Sequence, residues 1–206
     1  MKLEENKERL LLIFTRNPEL GKCKTRLAAT IGDQAALEVY IILLRHTAEI
    51  TKNINCSKEV HYTQEPSAND LWDKFSYSKH LQKGNDLGER MYNAFKAGFE
   101  KGYKKIVIIG SDIYDLKSET IEEAFTKLEN SDYVIGPAED GGYYLLGMKS
   151  MSKEVFFNKN WGTNDVLEDT LNNLSHKNVE LLQTKNDIDV YEDLKDIDVF
   201  QTFLTV

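Results

Sequence analysis

Lys104-Lys105-Ile106-Val107-Ile108-Ile109-Gly110-Ser111-Asp112 is the stretch on which the fold turns. Four successive β-branched residues with no polar alternation predict a strand buried on both faces, as in a parallel sheet covered by helices. Upstream, Leu10 to Phe14 is a second run of this kind. Between them the pattern predicts a helix from Asp33, its N-cap, to about Ile50. Strands follow over Lys58–Thr63 and, more weakly, Ser76–Leu81. Asp86 and Glu89 then read as a capping box opening a helix to about Lys101. Downstream, Ser118 reads as the cap of a helix with Glu119, Glu122 and Glu123 in its first turns, where the helix dipole favours acids. Strands are expected over Asp132–Gly136, Tyr143–Met148 and Val179–Leu182, and helices over Thr163 to about Ser175 and Tyr191–Leu204. Strands spaced by helices require crossover connections. The expected fold class is α/β: a three-layer α/β/α, Rossmann-like arrangement with a mainly parallel central sheet, formed by residues 1–206 as one domain.

The 206 residues carry a formal net charge of -8. An acidic chain is a poor coat for duplex nucleic acid or for an anionic membrane, both of which need a positive face. No nucleic-acid partner is expected. The longest apolar run, Val39 to Leu44, is far shorter than the roughly 20 residues that span a bilayer. The acidic start MKLEENKERL does not resemble a secretory leader. Two cysteines, Cys23 and Cys56, suggest neither a disulfide scaffold nor a zinc cluster. The expected location is the cytoplasm. Oligomeric state is left open.

In mainly parallel sheets, ligands sit at the carboxyl ends of the strands. The loop after the first strand carries Arg16, Lys22, Lys24 and Arg26 against the single acid Glu19, with turns at Pro18 and Gly21. A glycine turn with clustered cations suits a polyphosphate. It matches neither the P-loop nor the GxGxxG pattern. Asp112 ends the most hydrophobic strand, where a carboxylate is costly unless paired or metal-bound; Mg²⁺ (or Mn²⁺) takes one or two carboxylates plus phosphate oxygens. Asp115 reads as a turn residue. In Gly136-Pro137-Ala138-Glu139-Asp140-Gly141-Gly142-Tyr143-Tyr144, the double glycine fits either an Asp-Gly hairpin or close approach to a ligand. Asp140 or Glu139 is a candidate for acceptor hydroxyls, with Gly141, Gly142 and Tyr143 beside it. Asp187-Ile188-Asp189 lies at a strand end; its duplicate, Asp196-Ile197-Asp198, falls in the final helical pattern and reads as a solvated face. Gln82 offers an amide to a base edge, Gly84 permits close approach, and Arg90 is within reach of phosphate or an acidic acceptor.

Together PxxGxxKTRL (18–27), QxGxDLGERM (82–91), IGSDxxDL (109–116), GPAEDGGYYLLG (136–147) and DIDxxEDL (187–194) resemble the bacterial transferases found beside radical-SAM and selenoprotein-type domains. These belong to the nucleotide-diphospho-sugar transferase superfamily, with the GT-A fold. More distantly, the motifs are similar to molybdenum-cofactor and 2-phospholactate guanylyltransferases. The resemblance implies that Gly21, Lys24 and Arg26 bind nucleotide phosphates and that Gln82 and Gly84 lie near the base. It implies that Asp112 and Asp189 share a metal, and that Asp140, Gly141 and Gly142 face acceptor or sugar. Two positions depart from the family pattern: Tyr114 replaces a proline, and Val190 replaces a threonine.

The expected activity is a Mg²⁺-dependent transfer from a nucleotide-activated donor to a small-molecule acceptor. Either an NTP passes its nucleotidyl group to a phosphorylated acceptor, or an NDP-sugar passes its glycosyl group. Lys24, Arg26 and Asp112 are the expected catalytic set. The alternative from another class is a nucleotide-binding module without catalysis. An aspartyl-phosphate hydrolase needs D-x-D at the end of the first strand, where this chain has Thr15 and Arg16.

Overall fold

The structure, a computed structural model, describes residues 7–66 and 70–204. Residues 1–6, on which the leader reading partly rests, lie outside the described residues, as do the ends of the expected 1–206 domain. Seven strands form one sheet: β1 (Arg9–Thr15), β2 (Ser57–Tyr62), β3 (Ser78–Leu81), β4 (Lys105–Ile109), β5 (Tyr133–Pro137), β6 (Tyr143–Met148) and β7 (Val179–Leu181). Their spatial order is β3-β2-β1-β4-β6-β5-β7. All neighbours run parallel except β6, which is antiparallel to both β4 and β5. Among the described residues five α-helices accompany it: α1 (Thr25–Ile31), α2 (Asp33–Thr51), α3 (Leu87–Glu100), α4 (Ser118–Lys127) and α5 (Val166–Asn173).

The unalternated apolar runs have the cause inferred from them. Leu11 and Ile13 of β1, with Val107 and Ile109 of β4, enter one core with Val39 and Leu43 of α2 and Phe125 of α4. Leu10, Leu12, Ile106 and Ile108 point the other way, into a second core with Met91 and Phe95 of α3 and Phe156. Strand period two therefore feeds two cores, and the helices lie on both faces. No helix among the described residues is long and apolar enough to cross a membrane.

Several expectations are corrected. The loop after β1 does not extend to Arg26, because α1 occupies Thr25–Ile31. It starts from Lys24, which makes no side-chain cap, so the usual Ser/Thr/Asp/Asn signal is missing. Gly32, with φ 84°, separates α1 from α2, and Asp33 is the first helical residue rather than the cap. Ser118 does not cap α4; its hydroxyl donates to the Ile50 carbonyl at 2.6 Å. At α3, Asp86 caps as expected by accepting the Glu89 N–H, but Glu89 reaches back to the Asn85 N–H instead of closing the box on Asp86. The final helix breaks into two 3₁₀ turns, Tyr191–Leu194 and Asp198–Phe203. Asp196 and Asp198 are exposed there, as expected for a solvated face.

Candidate active site

The carboxyl ends of the parallel strands bring together loops far apart in sequence. Lys24 Nζ lies 2.9 Å from Asp112 Oδ2 and 3.9 Å from Asp189 Oδ1. Arg26 donates to Asp189 Oδ2 at 2.8 Å. The loop after β1, the loop after β4 and the segment after β7 thus meet in one charge cluster. Lys24 is buried, with its side chain 4% exposed, whereas Asp112 is 43% exposed. The lysine is enclosed, while Asp112 opens to solvent and Asp189 does so in part. Lys24 has φ 50° and ψ 44°, a left-handed conformation that costs a non-glycine residue roughly 1–2 kcal/mol. Such strain persists only where the surroundings impose it.

Backbone ties fix this geometry. The Ile188 N–H donates to the Asp112 carbonyl at 3.0 Å, joining the two carboxylate segments. Asp193 Oδ2 accepts the N–H groups of Asp189 and Val190 at 2.8 and 2.7 Å. Asp193 therefore orders the segment at which the family threonine is missing. Tyr40 is a further positioning residue. Its buried hydroxyl accepts the Arg16 N–H at 2.9 Å and lies 3.1 Å from Thr15 Oγ1, pinning the start of the basic loop. Sequence reasoning left Tyr40 in an apolar run, although a buried tyrosine hydroxyl needs a partner.

The cluster encloses a 140 Å³ recess lined by Arg16, Lys24, Arg26, Tyr40, Asp112 and Asp189. On one side, Arg16 also lines a polar groove of 350 Å³ with Lys22 and Arg90. On the other, Asp112 also lines a cleft of 290 Å³ whose wall includes Asp140, Gly142, Tyr143 and Asp187. Arg16 and Asp112 are the shared walls of this succession. Asp187 was passed over in favour of Asp189. Burial first, then the charge of Asp140, pushes its carboxyl above the usual carboxylate range.

The remaining candidates make the following contacts within the fold. Gln82 spends its amide N–H groups on the Thr15 and His61 carbonyls, at 3.1 and 2.9 Å, bracing the ends of β1 and β2. At Gly84, with φ 143°, a β-carbon would fall 2.6 Å from Glu89 Cβ, so its glycine is required by packing against α3. Arg90 Nε donates to the Gly84 carbonyl at 3.1 Å. Gly21 takes a positive φ of 70° in the turn before Lys24 and does not line the recess. Residues 138–142 form the β5–β6 hairpin, with Asp140 Oδ1 accepting the Gly142 N–H at 2.8 Å. At Gly141 the close approach is by the Asn164 backbone, 2.1 Å from where a β-carbon would be. Tyr143 lines the cleft with its ring, but its hydroxyl is buried, which pushes its pKa up. Asp115 is paired with buried Lys185 at 2.8 Å. Tyr114 packs against His46 and Phe200, with ring centroids 4.7 and 5.1 Å away. The end of β1 offers Thr15 and Arg16 and no aspartyl nucleophile.

The sheet order, the single antiparallel strand and the motif loops at the carboxyl edge define a fold of the GT-A, nucleotide-diphospho-sugar transferase type. Residues 46–163 match the family described as "Uncharacterized protein conserved in bacteria (DUF2064)", and the chain belongs to that family. A crystal structure from Desulfovibrio desulfuricans G20, provisionally designated a nucleotide-diphospho-sugar transferase, is 31% identical. It superposes with a TM-score of 0.83 over 95% of this chain and 93% of that one. A cytidylyltransferase from Leptospira borgpetersenii serovar Hardjo-bovis (strain JB197) is 15% identical, with a TM-score of 0.63 over 90% of this chain and 83% of that one. The 4-diphosphocytidyl-2C-methyl-D-erythritolsynthase of Anaerococcus prevotii DSM 20548 is 9% identical, with a TM-score of 0.60 over 90% and 92%. These last two are likenesses of fold. A comparison of the sequence with curated proteins finds no match.

Proposed function

We propose that the chain is a transferase that uses a nucleotide-activated donor, with the donor phosphates against Lys24 and Arg26. The observation that carries this reading is the Lys24 ammonium lying against both Asp112 and Asp189 at the carboxyl edge of the sheet. Glycosyl transfer from an NDP-sugar is supported by the designation of the 31%-identical Desulfovibrio protein. Nucleotidyl transfer from an NTP draws support from the four cations of the basic loop, since an NTP brings a triphosphate where an NDP-sugar brings a diphosphate.

The donor set suits Mg²⁺ or Mn²⁺. Among the described residues no group of three or more His, Cys, Asp or Glu is arranged for a metal. Two carboxylates facing one cation are instead the arrangement in which phosphate oxygens and water complete a hard ion's shell. Asp112 and Asp189 would hold the ion, which when bound neutralises phosphate charge as a Lewis acid. Lys24 and Arg26 bind the departing phosphates, with Lys24 held buried where its charge is least screened. In glycosyl transfer, the acceptor oxygen bonds to the anomeric carbon as that carbon's bond to the phosphate oxygen breaks. The electron pair leaves with the nucleoside diphosphate, and the acceptor proton passes to the Asp140 carboxylate. Oriented reactants and fixed charges supply most of the rate.

A melting-temperature panel of NTPs and NDP-sugars, with and without Mg²⁺, tests this. One nucleotide class is expected to stabilise the chain only when Mg²⁺ is present, and Asp112→Asn to abolish that shift. Equal shifts with and without metal, unchanged in Asp112→Asn, would overturn the metal role. No shift by any nucleotide would overturn the transferase reading.

A further inference from the structure

We infer that the 290 Å³ cleft beside Asp112 receives an acceptor without negative charge, one offering an apolar face together with hydroxyl or amine groups. A neutral or cationic polyol or amino sugar fits; a phosphorylated acceptor does not. The inference rests on the reading that nucleotide phosphates lie on the other side of Asp112, against Lys24 and Arg26.

The charges lining the cleft are of one sign. Asp112, Asp140 and Asp187 contribute carboxylates, and none of the described residues lining it is Lys, Arg or His. Lys24, whose charge is felt at Asp187, is itself paired with Asp112. A phosphorylated acceptor would have to bring its charge among three carboxylates with no basic side chain lining the cleft to receive it, while the cations near Asp112 are taken up by the donor phosphates; like charges in a partly desolvated cleft repel strongly. The basic loop is separated from this cleft by Asp112, so its cations serve the donor side.

The remaining wall is apolar and held in place. Leu87 and Met91 of α3 line the cleft together with Trp161. Trp161 cannot retreat toward α3, because Gly88 is already so close that a β-carbon there would fall 2.5 Å from its Nε1. On its other flank it meets Tyr143 edge-on, with ring centroids 6.2 Å apart. A fixed aromatic face with carboxylates beside it suits a ring with C–H groups on one face and hydroxyl or ammonium donors at its edge. An ammonium group gains further from the aromatic face.

Trp161 reports on the cleft directly, because the other tryptophan, Trp72, is only 2% exposed. Collisional quenching by caesium is expected to exceed quenching by iodide several-fold. Glucosamine is expected to shield Trp161 from acrylamide at about tenfold lower concentration than glucose 6-phosphate, the equivalent of about 1.4 kcal/mol. Trp161→Phe should remove the quenched signal, and Asp140→Asn, which keeps the oxygen that accepts the Gly142 N–H, should narrow the difference. Equal shielding by the two sugars, shielding by neither, or an advantage for glucose 6-phosphate would overturn the inference. A melting shift with nucleotide but no order between the sugars sinks this inference alone. An order between the sugars with no nucleotide shift sinks the transferase reading instead.

Discussion

Lys24 Nζ stands 2.9 Å from Asp112 Oδ2, and the lysine reaches that position from a left-handed backbone. The conformation turns the chain sharply into α1 while burying the ammonium between two carboxylate-bearing loops. Position and charge can be separated by substitution. Lys24→Gly accepts φ 50° freely, whereas Lys24→Ala keeps the strain; both lose the cation. Lys24→Gly is expected to be more stable than Lys24→Ala by about 1 kcal/mol in urea unfolding. Both should lose nucleotide-dependent stabilisation.

Gln82 binds the Thr15 and His61 carbonyls rather than leaving its amide N–H groups toward a ligand. Gln82→Ala removes two hydrogen bonds, each worth about 1 kcal/mol net. The expected result is a lower melting temperature and weaker binding of every nucleotide alike. A change of base preference, measured across ATP, GTP, CTP and UTP, would show that the amide reads the base after all.

Asp193 accepts two successive N–H groups at the DID segment, and Val190 offers no hydroxyl there. Asp193→Ala is expected to free Asp189 and to weaken nucleotide binding, while the sheet remains intact by circular dichroism. Val190→Thr adds a side-chain oxygen at the cap of the following 3₁₀ turn. A gain of roughly 0.5–1 kcal/mol in chemical denaturation is expected.

Away from the site, buried Glu59 lies 3.2 Å from His61 Nε2 and 2.5 Å from Lys101 Nζ. Burial alone would raise its carboxyl, but these bonds outweigh it and hold the pKa at about 2. The folded value is below the unfolded one, so the stabilisation is fully present above about pH 4.5 and is lost as pH falls toward 2. Lys101 is half-exposed, and after solvent screening the contribution is on the order of 2 kcal/mol. Glu59→Gln should flatten the acid limb of stability against pH; an unchanged slope between pH 4.5 and 2 would count against the pairing.

The sheet was legible because burial on both faces leaves an unmistakable mark, as in β1 and β4. Tyr143–Met148 was readable as a strand, but its reversed direction was not, since direction depends on the partner and not on composition. Helix α1 carries no such mark, because Lys24 starts it without a side-chain cap. The apolar pattern of Tyr191–Leu204 does not distinguish a helix from 3₁₀ turns, which bury Leu194 and Phe200 just as well. At the site, the residue types at strand ends marked Lys24, Arg26, Asp112 and Asp189, which the fold gathers. The placements of Gln82, Gly84 and Tyr143 were hidden, because a side chain's partner lies in another loop. Asp193 and Tyr40 act through backbone groups, and nothing in a one-dimensional pattern displays that.

The hydrogen bond from Ile188 to the Asp112 carbonyl has a consequence for the order of synthesis. The cations of the cluster are made among the first thirty residues of the chain, and Asp189 emerges from the ribosome far later. In a nascent chain both Lys24 and Asp112 are therefore made before the second carboxylate exists. Only when the segment after β7 docks does the lysine acquire its opposing partner. Completion of the charge cluster is in this sense a late event of biosynthesis, imposed by topology.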